Sequence, residues 1–195
     1  PSNELNNIVP AAVRKKIFRY ETYVNSKERY QVTQQFGIHG LLEEAVAYYH
    51  SFATEIALFG YFKDNYGWKD PVPWMTYLGN MASFRYAITE FELFISWYLQ
   101  WAKTKHPKVY QAIIADRGLK QLFVFLEKEN SRLSSLYHQN RAVILQQFAG
   151  RLSIDDNYIY DNISHSGKGL FDEEVKETQS LLQKPEHEIL EELRR

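Results

Sequence analysis

Trp74, Tyr77, Met81, Phe84, Ile88, Phe91, Ile95 and Tyr98 follow one another at steps of 3, 4, 3, 4, 3, 4 and 3 residues. Steps of that size keep returning to one side of a 3.6-residue helix, whereas a strand would need steps of two. The segment can therefore bury its apolar residues only as one long helix. A second row, Phe94, Trp97 and Trp101, widens the apolar face, and Arg85, Thr89, Glu92, Ser96, Gln100 and Lys103 are expected to form a polar stripe opposite. A face that wide packs on more than one neighbour. Leu41, Ala45, Tyr48, Phe52, Ile56 and Phe59 repeat the pattern upstream, and Leu119, Leu122, Leu126, Leu133, Leu136, Val143 and Phe148 repeat it less regularly downstream.

The expected fold class is all-α: an elongated up-down helical bundle with three long helices plus shorter N- and C-terminal helices. Pro10, Pro73, Pro107 and Pro185 suit first helical positions, while Gly118 and Gly150 suit the left-handed position after a helix end. These marks predict helices near 10–24, 27–63, 73–104, 107–117, 119–149, 171–183 and 185–194, with a break or kink at Gly37 or Gly40. The best strand signal, Asn157 to Asp161, alternates over too few residues to build a sheet, so 150–169 is expected to be a loop. Charge divides the chain: residues 1–169 carry a net +3 and residues 170–195 a net −4. The expected organisation is a bundle domain, 1–169, with a basic N-terminal helix, and an acidic helical appendage, 170–195.

Several chemistries lack the residues they need. The chain has no cysteine, which removes disulfides, thiolate metal sites and thiol nucleophiles. No Gly-x-Ser-x-Gly elbow is present, and Ser166-Gly167-Lys168-Gly169 lacks the spacing of a phosphate-binding loop. No Glu-x-x-His pair occurs at the spacing of two-metal bundles, so Glu43, Glu44, His50, Glu90, Glu92, Glu127 and Glu129 are read as solvated or helix-pairing groups. No metal and no cofactor is expected. A net charge of −1 gives no overall field toward nucleic acid or an anionic membrane. No apolar run of 18 residues suggests a spanning segment, a cytoplasmic location is expected, and the first residue, Pro1 instead of Met, suggests a processed form from which a targeting or anchoring segment could be missing.

Four groups of residues stand out as candidate sites. Arg132 and His138, six positions apart on the last long helix, resemble the Arg-x(4 to 6)-His pair of helical ribonucleases and toxins of the HEPN superfamily. The resemblance lies in that pair and in bundle architecture; it implies metal-independent RNA cleavage by dimers. On an unbroken helix the two side chains lie about 120° apart. Second, Glu129, Asn130 and Asn140 interrupt the downstream apolar row, so they line a cleft or set helix register, and an inward-facing Arg85 would need a carboxylate such as Glu90 or Glu129. Third, Arg14, Lys15, Lys16, Arg19, Lys27 and Arg29, interleaved with Phe18, Tyr20 and Tyr23, form a basic stretch that could meet nucleic acid but reads better as an amphipathic helix docked on the bundle. Fourth, the aromatics Tyr66, Trp68, Trp74, Trp97, Trp101, Tyr158 and Tyr160 form a candidate binding surface, because Tyr and Trp join large apolar area to a polar handle.

Together these features favour an interaction or scaffold module, self-associating or bound to a protein partner through aromatic surface. A ribonuclease using Arg132 and His138 is the enzymatic alternative, and a helical small-ligand sensor is the third.

Overall fold

The computed structural model describes all residues except Pro1, Arg29, Asp156 and Gln183. Nine α-helices account for most of the described chain: α1 (Ala11–Arg14), α2 (Val32–Phe36), α3 (Ile38–Ala57), α4 (Phe59–Tyr66), α5 (Val72–Lys105), α6 (Pro107–Ala115), α7 (Arg117–Gln147), α8 (Asp172–Leu181) and α9 (Lys184–Arg194). A 3-10 turn, Ser2–Asn7, and a π-helical turn, Tyr20–Val24, complete the N-terminal segment. The helical class follows the sequence reading. Within it, the helix expected over 10–24 is two short turns, and the one over 27–63 is three pieces.

Glycine explains the first of those breaks. Gly37 has φ +57° and ψ −120°, which only glycine adopts without strain, and it sits against the Tyr98 side chain. Gly40, also a candidate break, is helical; its missing side chain lets α3 lie directly on the backbone of α2 at Val32 and Thr33. Gly150, with φ +81°, fits the left-handed position expected of it. Gly118 does not, because Asp116 caps α7 two residues earlier by accepting the Leu119 amide at 3.1 Å.

The long seam forms α5, 34 residues and about 50 Å at 1.5 Å per residue. Its neighbours are α3, α4, α6, α7, α8, α9, the 3-10 turn and the sheet, so it is surrounded instead of standing in a row. The polar stripe expected on its outer side is consequently interrupted: Arg85, Thr89 and Ser96 are buried, and only Lys103 is exposed. Two apolar clusters divide its length. One joins Phe91, Phe94 and Leu99 of α5 to the N-terminal segment, the start of α3, α6, the first half of α7 and α9. The other joins Trp74, Leu78 and Met81 to Phe52, the second half of α7 and the sheet. The acidic segment packs on this body, with Leu190 and Leu193 of α9 fully buried in the first cluster.

A small sheet occupies the stretch expected to be a loop. Strands β1 (Leu152–Asp155), β2 (Tyr158–Asp161) and β3 (Ser166–Gly169) form an antiparallel meander with Ile154 opposite Ile159 and Tyr160 opposite Gly167. Four-residue strands survive because their apolar side, Leu152 and Ile159, is covered by the second cluster, so tertiary packing supplies what a short hairpin lacks. Buried Asp161 ties the meander down. It accepts from Arg151 Nε and Nη2 at 3.2 and 3.1 Å, from the Ile163 amide at 3.0 Å and from the Ser164 hydroxyl at 3.0 Å, and these donors hold its carboxyl far below the usual range. Ser166-Gly167-Lys168-Gly169 is thus an edge strand, with Gly167 lying under the Tyr160 ring.

Candidate functional site

Buried polar residues cluster where the two apolar clusters meet, at Arg85, Thr89 and Glu90 of α5. They form two systems. On one side Glu90, fully buried, accepts from Arg19 Nη1 at 2.7 Å and from the Arg19 amide at 3.0 Å, while Arg19 Nη2 reaches the Ser83 hydroxyl at 3.2 Å. Burial pushes the Glu90 carboxyl upward and the Arg19 charge opposes it. Every polar atom of that pair faces protein, so it serves as an internal strut for the N-terminal segment.

The other system opens to solvent. Arg85, 6% exposed, extends from α5 between α7 and α8, its guanidinium 4.8 Å from the Tyr137 ring centroid. Its Nη2 donates to Asp172 Oδ1, Arg141 Nη1 donates to Asp172 Oδ2 at 2.6 Å, and Arg85 Nη1 lies 3.2 Å from His138 Nε2. A guanidinium only donates, so His138 Nε2 accepts and the imidazole proton sits on Nδ1. Burial, then the charges of Arg85 and Arg141, lowers the His138 pKa and keeps the ring neutral at neutral pH. Burial alone would raise Asp172, but Arg141 and Arg85 outweigh it and hold that carboxyl below its ordinary value.

These groups line a cleft of about 450 Å³ together with Asn130, Ser134 and Lys176. Two side-chain atoms of its lining residues, Arg85 Nε and the Asn130 oxygen, are buried without a hydrogen-bond partner among the described residues. Three cations, Arg85, Arg141 and Lys176, face one carboxylate, Asp172, across the cleft. The balance favours an anion.

Local structure places each side chain. On α7, Asn130, Ser134, His138 and Arg141 follow at steps of four, four and three, which is one helical face. Asp172 opens α8 because the chain turns sharply after β3: Leu170 is fully buried, its amide on the Asn157 carbonyl at 2.7 Å, and Phe171 takes a left-handed φ of 55° with its ring stacked on Tyr86. The Asn157 side-chain oxygen then accepts the Glu173 amide at 3.2 Å.

Of the candidate residues singled out in the sequence, Arg85, Asn130 and His138 reach this cleft. Arg132 does not: it is exposed and spends Nε and Nη2 on Glu129 at 3.0 and 2.8 Å, so the two members of the Arg-x5-His pair go to different neighbours. Arg85 faces inward, but its carboxylate is Asp172, and neither Glu90 nor Glu129. Asn140 sets register by donating to the Tyr77 hydroxyl at 2.9 Å. The expected aromatic surface is divided. Trp74, Trp97 and Trp101 are buried at 0, 6 and 6% exposure, covered within the chain by residues such as Trp68 and Tyr20, while Tyr66 and Tyr158 are exposed and Trp68 and Tyr160 half-buried. The N-terminal basic stretch buries Arg19, exposes Lys15, Lys16 and Lys27, and turns Phe18 outward; its Arg29 lies outside the described residues. Arg141 and Asp172 were missed. The polar face of α7 was a readable signal for Arg141; nothing local marks Asp172, which lies 87 residues from Arg85.

Among the described residues no group of three or more histidines and carboxylates is placed to hold a metal ion, and no helix is long and apolar enough to cross a membrane. Comparison with protein-family models, with curated proteins and with solved structures finds no match.

Proposed function

We propose that the protein is a helical ligand-binding module whose cleft between α5, α7 and α8 takes a small molecule bearing an anionic group. The observation that carries this reading is Arg85: a guanidinium 6% exposed, lining a cleft of about 450 Å³, with its Nε unspent among the described residues. A structural ion pair of the kind seen at Arg19 and Glu90 would use up its donors, because an unmatched buried donor costs about 1–3 kcal/mol. Arg141 and Lys176 add charge at the cleft wall, and Asn130 and Ser134 add polar groups able to orient a ligand.

The test is thermal unfolding at low ionic strength against a panel of small phosphates, carboxylates and sulfates. Binding to the folded state raises Tm by mass action. The shift should disappear in Arg141→Gln and persist in Arg132→Gln, which lies outside the cleft. No shift with any anion at millimolar concentration removes the reading.

Interaction with a protein partner or a second copy is the second reading, and it is supported by Phe18, Tyr30 and Phe36, exposed at 75, 87 and 60% in the N-terminal segment. It predicts a mass in solution above 23.1 kDa that persists in about 0.5 M salt. Replacing all three by serine should return the mass to that of one chain. Ribonuclease chemistry built on Arg132 together with His138 has no comparable support within one chain, since those side chains diverge.

A further inference from the structure

Asp172 already occupies the two arginines that the proposed ligand would use. Its carboxylate bridges α5 and α7, one oxygen on Arg85 Nη2 and the other on Arg141 Nη1. An incoming anion therefore competes with a group of the chain itself.

The fit of that internal anion is incomplete. Asp172 sets its two oxygens on the terminal nitrogens of two different arginines, and neither reaches Arg85 Nε, which is without a partner among the described residues. An anion with a third oxygen on the same centre could reach Nε while keeping both terminal contacts. Phosphate monoesters supply three terminal oxygens on a tetrahedral centre, enough for Arg85 Nε, Arg85 Nη2 and Arg141 Nη1 together. The cleft, about 450 Å³ and lined also by Ser134 and Lys176, has room for the organic part of the ester.

The backbone leading into Asp172 is held in an unfavourable state. Phe171 has φ 55° and ψ 24°, a left-handed conformation that a bulky side chain rarely adopts. The ring stack on Tyr86 and the two arginine contacts of Asp172 oppose a relaxation of this residue. Farther along, α8 is fixed by buried Thr178, whereas its first turn is held by the Asp172 contacts and by those of Asn157 to the Glu173 amide and the Glu174 carboxylate. Losing the Asp172 contacts would thus loosen the first turn of α8 and leave the rest seated.

We infer that Asp172 is an internal stand-in for the terminal phosphate of a phosphate monoester, and that ligand binding displaces it and unlatches the first turn of α8. The inference rests on the anion-binding reading of the cleft and adds to it the ligand's chemistry and a built-in competitor. It makes the acidic C-terminal segment responsive to occupancy of the cleft.

Calorimetric titration of phenyl phosphate, inorganic phosphate and benzoate into the wild type and Asp172→Asn tests it. Phenyl phosphate should bind, benzoate should bind at least tenfold more weakly, and Asp172→Asn should bind phenyl phosphate at least tenfold more tightly than the wild type. Inorganic phosphate binding as tightly as the ester would overturn the assignment to a monoester. Equal or weaker binding of phenyl phosphate by Asp172→Asn would overturn the competition, because Asp172 would then be orienting the arginines. Hydrogen exchange in the wild type needs no variant: saturating phenyl phosphate should speed exchange of the amides of residues 173–176, and slower or unchanged exchange there sinks the unlatching. Absence of binding by all three probes in both proteins removes the reading of the cleft and the inference with it, whereas wild-type binding unchanged by Asp172→Asn removes the inference alone.

Discussion

Glu90 and Arg19 are both buried, and removing one partner leaves the other as an unpaired charge inside the protein. Glu90→Ala should therefore lower the unfolding free energy by about 3–5 kcal/mol, while the double variant Arg19→Met with Glu90→Leu should recover much of that loss. Urea unfolding of the three proteins checks the pair; a single variant as stable as the wild type would mean that Arg19 finds water. Phe91, fully buried a turn-fraction away and packed edge-on to Phe94, tests burial without charge. Phe91→Ala should cost about 3–5 kcal/mol through lost transfer energy and a cavity. Trp101→Asp puts a carboxylate into a site 6% exposed, so it should destabilise the chain instead of changing its association state.

At the scale of helices and strands, two glycines give opposite expectations. Gly37 ends α2 at a positive φ against the Tyr98 ring, so Gly37→Ala should destabilise by about 1–3 kcal/mol. Gly60 lies inside α4 with open space where a Cβ would go, so Gly60→Ala should stabilise by about 0.5–1 kcal/mol. Thermal melts of the two variants should move in opposite directions. The same contrast explains what could be read in advance. α5 was legible because its seam repeats over seven turns of helix with no competing period, and α7 because Leu119, Leu126 and Leu133 hold the same interval. The sheet was not, since Leu152 and Ile159 are too few to signal a strand until the second apolar cluster covers them. The candidate site was half legible: Arg85, Asn130 and His138 carried local marks, but Asp172 is chosen by the turn after β3, and chain topology at that distance leaves no periodic trace.

For the molecule as a whole, acidity should act through the cleft. Asp172 is held below its ordinary pKa, so its contribution to stability is complete above the usual carboxylate range and is lost as pH falls below that range and through the folded value. His138 is also lowered; the unfolded chain takes up its proton first, so stability falls as pH drops below about 6.5. Urea midpoints at pH 7, 5, 4 and about 2.5 should decline in the wild type, and the decline between pH 4 and about 2.5 should be shallower in Asp172→Asn. Parallel curves for the two proteins would show that other carboxylates govern the acid response.

The sharing of one helix by both apolar clusters bears on how the chain comes apart. Neither cluster can loosen without exposing its own half of α5, and the helix passes from one to the other through Leu93, Phe91 and Ile88 without a break. Unfolding should consequently be all-or-none, with calorimetric and van't Hoff enthalpies in agreement despite the two clusters. Amides near Phe91 should exchange with solvent only when the entire molecule opens, whereas those of the largely exposed α4 should exchange through local fraying. A nick in the middle of α5 would then dissolve both ends of the protein at once, and neither half, made alone, would hold a fold.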